Sequence, residues 1–183
     1  MPSPYLSAFE SLFWPDGSNR DYWMIVDGAR DREVYSQLTN SYLDYSCLYA
    51  GELSADLERA SPYLVQLEFE DRYTRRLLNH ALGNNWGVFL KCAETMSYLR
   101  RHLRKFLRVR DPRGNFMAFR YYDPRVLRVY LPTCTPEELK FIFGPIQSFY
   151  IEDEDPSILW DCRRSEGRLA INKITLEPKE AAV

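Results

Sequence analysis

The chain holds only two histidines, His80 and His102, among 183 residues. Its four cysteines, Cys47, Cys92, Cys134 and Cys162, never fall in a C-x-x-C pair. A zinc site with the usual ligand spacing is therefore not expected. Set in apolar contexts such as "SCLY" and "LKCAE", the thiols read as inert buried groups. Glycine is also sparse, at eight residues. Neither G-x-G-x-x-G nor G-x-x-x-x-G-K-[ST] occurs, so no phosphate cradle is expected. The turn "DGARDR" offers one glycine and reads better as a plain strand-to-helix turn. G-x-S-x-G is missing, and both histidines fall on predicted helices, away from any recognisable nucleophile. No apolar run approaches the ~20 residues that cross a bilayer. The opening "MPSPYLSAFESLFWPDG" lacks the basic and apolar regions of a secretory leader, so a cytoplasmic location with reduced thiols is expected. Positive charge is not in excess either: 24 Lys and Arg face 26 Asp and Glu, for a net charge of -2. That balance argues against nucleic acid or an anionic membrane as partner. These absences leave no catalytic residue, metal or cofactor to propose.

Aromatic residues are plentiful, with 13 tyrosines and four tryptophans in a 15% aromatic share. Core and sheet packing accounts for most of them, and the amphipathic rings also suit protein interfaces. Short apolar runs alternate with helical patterns. "DYWMIVDGA" reads as a buried strand over Tyr22 to Asp27, followed by a helix in "RDREVYSQLTN". "DYSCLYAG", "SPYLVQLE" and "WGVFLKC" read as strands. "SADLERA", "RYTRRLLNHALGN" and "AETMSYLRRHLRKFLRV" read as helices, the last being the longest. The fold class predicted is α/β: a mixed sheet flanked by helices, with right-handed crossovers for any parallel pairs. A helical and β-hairpin portion follows. "RVRDPRGNFMAFRYY" turns at Asp111-Pro112-Arg113-Gly114. "TPEELKFIFG" carries Thr135 as N-cap, Pro136 at the first helical position, Glu138 completing a capping box and Gly144 at the stop. "SILWDCRRSEGRLAINKITLE" reads as a hairpin turning at "SEG", before a frayed "PKEAAV". Three parts follow from these patterns. They are an N-terminal helical arm over 1–20, a main domain over 21–150 and a C-terminal extension over 151–183.

Three stretches carry dense chemistry. "EDEDP", Glu152 to Asp155, lacks the spacing of a calcium loop and reads as a solvated loop or one half of a charged partner surface. In "RRHLRKFLR", Arg100, Arg101, Arg104, Lys105 and Arg108 fall within roughly 140° of one another on a helix. Met96, Leu99, Leu103, Phe106 and Leu107 share the opposite face. An exposed surface helix is the plainest reading, an acidic protein partner the next, and nucleic acid the last. "FRYYDPRV", Phe119 to Val126, packs three rings, two arginines and an aspartate into eight residues. Asp123 before Pro124 is a helix start, with Asp as N-cap and Pro at the first helical position. Phe119, Tyr121 and Asp123 are expected to face inward as scaffold, and Arg120, Tyr122 and Arg125 outward.

"FRYYDPRVL", with "EELKFIFGPI" shortly after it, resembles the adaptor-chaperone family of bacterial type VI secretion, long carried as a domain of unknown function. "IVDGA", "LYAGE", "SPYLVQL", "NNWGVFL" and "YLRRHLRKFL" match further pieces of the family pattern in order, from about Tyr22 to Ile146. The departures, such as "IVDGA" for a leucine form, touch hydrophobic positions only. The resemblance implies a non-enzymatic protein without cofactor. Such a protein binds one cognate toxic effector in the producing cell and delivers it to the secretion spike protein. Asp27, Gly28, Pro62, Trp86, Gly87, Phe119, Tyr121, Asp123, Pro124 and Gly144 then stand as structural motif residues. Arg120, Tyr122, Arg125, Arg100, Arg101, Arg104 and Arg108 are the candidates for partner contact. Two rivals remain open: a small α/β hydrolase or nucleotide-binding enzyme, and a nucleic-acid binder using the basic helix.

Overall fold

A computed structural model describes residues 3–17, 21–110 and 113–178. Asp111 and Pro112 of the expected hairpin turn lie outside the described residues, as do the expected arm boundary at 20 and all but Pro178 of the expected frayed end. Helix α1 (Leu6–Phe13) leads into β1 (Tyr22–Asp27), α2 (Arg32–Thr39), β2 (Tyr45–Cys47), α3 (Ala55–Arg59), β3 (Pro62–Gln66), α4 (Arg72–Ala81) and β4 (Gly87–Lys91). Then come α5 (Met96–Leu103), β5 (Arg108–Arg110), β6 (Phe116–Ala118), α6 (Pro124–Tyr130), α7 (Pro136–Phe143), β7 (Ser148–Glu152), β8 (Ile158–Ser165) and β9 (Arg168–Thr175). Helices α2 to α7 all begin at an Asp, Ser or Thr whose side-chain oxygen accepts a first-turn amide: Asp31, Ser54, Asp71, Thr95, Asp123 and Thr135. Each cap satisfies a donor that the helix itself leaves open.

Seven strands form one sheet in the order β2-β3-β1-β4-β7-β8-β9, and β5 and β6 form a separate pair. The α/β architecture with flanking helices is as expected, but every ladder in the sheet is antiparallel. The reason lies in the crossovers. β1 and β2, joined through α2, run the same way, yet β3 inserts between them; β3 and β4, joined through α4, are likewise separated by β1. This is a split β-α-β arrangement, extended by β7, β8 and β9.

Alternation along the strands builds two cores. Tyr22, Met24 and Val26 face α1, α2 and α4 together with Tyr63, Val65, Phe89 and Tyr150. Trp23, Ile25, Leu64, Val88, Leu90, Phe149 and Ile151 face α5, α6 and α7. The sheet is thus covered on both faces, which is why its central strands read as near-continuous apolar runs. Close backbone approach fixes two glycines. A Cβ at Gly28 would lie 2.4 Å from the Arg59 carbonyl oxygen, and one at Gly87 would lie 1.9 Å from that of Ile25.

Three expectations are corrected. The first concerns α5, which stops at Leu103 and passes into a 3-10 turn over Arg104–Phe106; among the described residues α4, at 10 residues, is the longest helix. Tertiary packing overrides helical propensity there, because Phe106 turns in against His102 and Tyr121 and the chain must start β5 at Arg108. The second concerns the parts set outside the main domain, whose described elements α1, β8 and β9 pack onto or extend the one sheet. Phe9 and Phe13 of α1 are fully buried among Tyr22, Phe89 and Tyr150, and Arg75 of α4 clamps Glu10 at 2.6 and 2.9 Å. The proposed boundary at 150 falls inside β7, which pairs with β4 on one side and β8 on the other. The third concerns the acidic run, which is not a solvated loop throughout. Glu152 ends β7 at 4% exposure, and its carboxylate accepts the Gly83 and Asn85 amides at 2.5 and 2.8 Å. Asp153 accepts the Trp160 indole N–H and the Lys173 ammonium, while Glu154 and Asp155 are exposed. No helix among the described residues is long and apolar enough to cross a membrane.

Burial raises the Glu152 pKa to about 7, against the opposing pull of the two amides. A carboxyl group whose folded pKa is raised favours the folded state in its protonated form. Its contribution is full below its unfolded pKa near 4.5 and is lost as pH rises through about 7. His102, pushed down by burial, acts in the opposite sense, so the comparison must be with a variant. The stability of Glu152→Gln relative to the parent should improve by on the order of 2–3 kcal/mol between pH 4.5 and pH 8, read from urea denaturation. Parallel pH profiles for the two proteins would refute the assignment.

Candidate docking surface

The "FRYYDPRV" stretch folds as a corner. β6 ends at Ala118, one residue before the stretch, and the turn over Tyr121–Asp123 delivers the chain into α6. Alternation places Asp27, the last residue of β1, on the sheet face that α5, α6 and α7 cover. The residue is 1% exposed. One oxygen accepts the Ala29 amide at 3.0 Å, and the other accepts the Arg120 guanidinium. The two motifs "IVDGA" and "FRYYDPRV", 93 residues apart at this contact, therefore close on each other through a buried carboxylate. Asp123 repeats the arrangement locally. It caps α6 through the Arg125 amide at 3.0 Å and takes the Arg125 guanidinium at 2.9 and 2.7 Å. Desolvation opposes the ionised form of Asp123, but the hydrogen bonds from Arg125 outweigh it and hold the carboxyl below its ordinary range. Tyr121 is buried, with its hydroxyl donating to the Leu103 carbonyl at 3.0 Å and its ring edge-on to Phe106.

The corner residues divide differently from expectation in one respect. Tyr122, expected to face outward, is 3% exposed; its ring packs edge-on against Tyr121, and Tyr49 lies beside it. Burial, then the neighbouring Tyr49, raises its pKa. The physical reason is that β6 ends before the motif, so alternation no longer governs its side chains. Arg120 and Arg125 do reach the surface, yet their guanidinium groups are held by Asp27 and Asp123. Phe119 is half-buried against Tyr130. On α5, Arg100 also departs from the exposed basic face: its guanidinium donates to the Cys47 and Tyr49 carbonyls at 2.7 and 3.2 Å. Arg101, Arg104, Lys105 and Arg108 are exposed.

The remaining motif residues sit inside the fold. Pro62 opens β3, and Trp86, buried before Gly87 at the start of β4, stacks beneath the His80 ring. Pro124 is buried in the first turn of α6, and Gly144 ends α7 against the His102 ring. His102 is buried with Nε2 2.9 Å from the Ile142 carbonyl oxygen, and His80 contacts the Arg76 carbonyl and Glu33. The four cysteines are free, and burial raises the thiol pKa of Cys92, Cys134 and Cys162. No group of three His, Cys, Asp or Glu among the described residues is arranged to hold a metal.

An open groove of about 770 Å³ lies beside this corner. One wall is the segment from Leu48 to Leu57, which includes Tyr49; the other is β6, with Phe116 and Met117; Arg104, Leu107 and Arg108 close the remaining side. The outer apolar groups are unusually bare: Phe116 is 63% exposed, Met117 51% and Leu57 44%. Of these groove residues the basic-helix reading names Arg104, Leu107 and Arg108; Tyr49, Leu57, Phe116 and Met117 escaped it. A signal was present in "FMAF", Phe116 to Phe119. Four consecutive apolar residues in a short hairpin strand cannot all be buried by a two-stranded ribbon.

If Asp27 organises the corner, removing its cation should be costly. Arg120→Met should lower stability by about 2–3 kcal/mol in urea denaturation. That is less than for a fully buried pair, because the Arg120 side chain is 45% exposed. Adding Asp27→Asn should return part of the loss, with the coupling read from a double-mutant cycle. An Arg120→Met protein as stable as its parent would remove the pair from this role.

The geometry is that of a braced corner supporting an open apolar and cationic groove. Searches of curated proteins and of solved structures give no match to the chain. Residues 22–140 match the family described as Domain of unknown function (DUF4123), a span that covers the strands β1 to β4, the basic helix, the corner and most of α7, and the chain belongs to that family.

Proposed function

We propose that the chain is a cytoplasmic adaptor that binds a cognate secreted effector and loads it onto the spike protein of a type VI secretion system. The motif resemblance from Tyr22 to Ile146 suggests the biological setting. The observation that carries the reading is the groove. Phe116, Met117 and Leu57 stand exposed around a concave surface whose charged members, Arg104 and Arg108, are both cationic. Bare apolar groups concentrated in a concavity mark interaction sites. The dense chemistry of the corner supports the same reading, since both carboxylates have both oxygens engaged within the fold. The motif thereby acts as scaffold for an adjacent binding surface. Buried aromatic and aliphatic anchors would supply affinity, and the charged rim would steer encounter.

Affinity purification of the tagged chain from the producing cell, at near-physiological salt, tests this. The product of the neighbouring gene and a spike protein should both be retained, and deletion of the chain should abolish export of that product while leaving export of other effectors intact. If neither protein is retained, the adaptor reading fails.

A further inference from the structure

We infer that the groove between the Leu48–Leu57 segment and β6 receives an acidic amphipathic segment of the protein partner; this rests on the adaptor reading and specifies its contact. The argument begins with the lining. Apart from Arg104 and Arg108, the side chains that form the groove are Leu, Ala, Tyr, Phe and Met. The acids of the Leu48–Leu57 segment, Glu52 and Asp56, are exposed, and neither lines the groove. Asp56 pairs with Arg59, and both line a separate hollow beside Gly28. The charged side chains that line the groove are therefore both cationic, on a chain whose net charge is -2. A segment with apolar side chains for the floor and carboxylates for the rim complements it on both counts.

The second part of the argument is the form of the surface. The groove is open, with two walls from different parts of the chain. Arg100 holds the first wall through the carbonyls of Cys47 and Tyr49. Arg104 and Arg108 lie a turn further along the basic segment and are exposed. Lys105, on the other side of this ridge, borders a second hollow with Tyr98 and Phe141, which are also exposed. Cations flanked by apolar hollows fit an extended or helical segment that alternates carboxylates with apolar anchors. Nucleic acid fits less well, because the groove lacks a continuous cationic track and its anchors include Met117 and Leu57, which give no aromatic stacking face.

The test uses the full chain with a photo-crosslinking amino acid in place of Met117, co-expressed with the neighbouring gene's product. Crosslinking should join the two proteins, and mass spectrometry should place the linked peptide in a stretch rich in Asp or Glu and apolar residues. The same substitution at Arg164, exposed on β8, should give no such link. In parallel, Arg104→Glu with Arg108→Glu should weaken binding at least about tenfold, while Arg164→Glu with Arg168→Glu, an equal change of charge elsewhere, should leave it within about twofold. Thermal unfolding of each variant separates lost contact from lost fold, and Met117→Ser provides a second groove variant that leaves the charge unchanged. Retained co-purification without a crosslink from position 117, or with a linked peptide rich in Lys and Arg, overturns the groove assignment and leaves the adaptor reading standing. A crosslink to a second copy of the chain, or to nucleic acid, overturns it as well. Failure of the unmodified protein to retain the neighbouring product defeats the adaptor reading itself.

Discussion

The structure turns on a carboxylate that has almost no access to water. Asp27 ends the central strand β1 on the face covered by α5, α6 and α7. An ionised carboxylate in that position costs several kcal/mol unless it is paired and hydrogen-bonded. The turn amide of Ala29 meets one need and Arg120 the other. Satisfying them sets the rest of the corner. With Arg120 drawn to the end of β1, its carbonyl accepts the Asp123 amide and Asp123 starts α6. Tyr121 and Tyr122 are then directed inward, one to the Leu103 carbonyl and the other to Tyr49. Gly28 belongs to the same constraint, since only a residue without Cβ lets the chain leaving Asp27 pass the Arg59 and Ser61 carbonyls.

The basic segment shows how neighbouring residues of one type take different roles. Arg100 lies on the last full turn of α5 and reaches carbonyls of the β2 segment, so its charge is partly used in holding backbone. Arg104 follows one turn later, where the helix tightens into a 3-10 turn, and its side chain opens onto the groove. Cationic residues near a helix C-terminus are favoured by the partial negative charge there. That explains their presence without explaining which ones stay free. What decides it is the reach to backbone carbonyls: Arg100 meets those of Cys47 and Tyr49, whereas Arg104 and Arg108 open onto the groove.

Much of the fold was legible in the sequence, and the reasons are local. Helix starts were readable wherever an Asp, Ser or Thr preceded a periodic run, as at Ser54, Asp123 and Thr135. The strand Tyr22–Asp27 was readable because a five-residue apolar run ended at Asp-Gly. The C-terminal hairpin was readable from "SEG", where Glu166 and Gly167 both adopt positive φ, as a tight two-residue turn requires. What escaped depended on distant partners. Nothing near Tyr122 announces Tyr49, nothing near Glu152 announces the Gly83 and Asn85 amides, and nothing in a helical period reveals that packing of Phe106 will end α5 early. The all-antiparallel pairing escaped for the same reason, since a β-α-β spacing does not say that a third strand will insert. The groove lay in between: its cations were visible, but its apolar walls needed the fold to bring Leu57 and Met117 together.

The two walls of the groove differ in how firmly they are held. The Tyr49 carbonyl is held by Arg100, which also holds that of Cys47 at the end of β2, and Tyr122 packs beside Tyr49. β5 and β6 pair over only three residues each, a ribbon too small to be stable alone. Phe119 supplies the missing attachment, with its ring against Tyr130 and its amide bonded to the Leu107 carbonyl at 3.1 Å. The ribbon therefore stands only as firmly as the corner that follows it. That links the family motif to binding by a mechanical route: Asp27 and Arg120 fix the corner, the corner positions Phe119 and Tyr122, and these two residues support opposite walls. A preorganised groove loses less free energy to ordering when it is filled, so scaffold residues that never touch a partner still contribute to affinity.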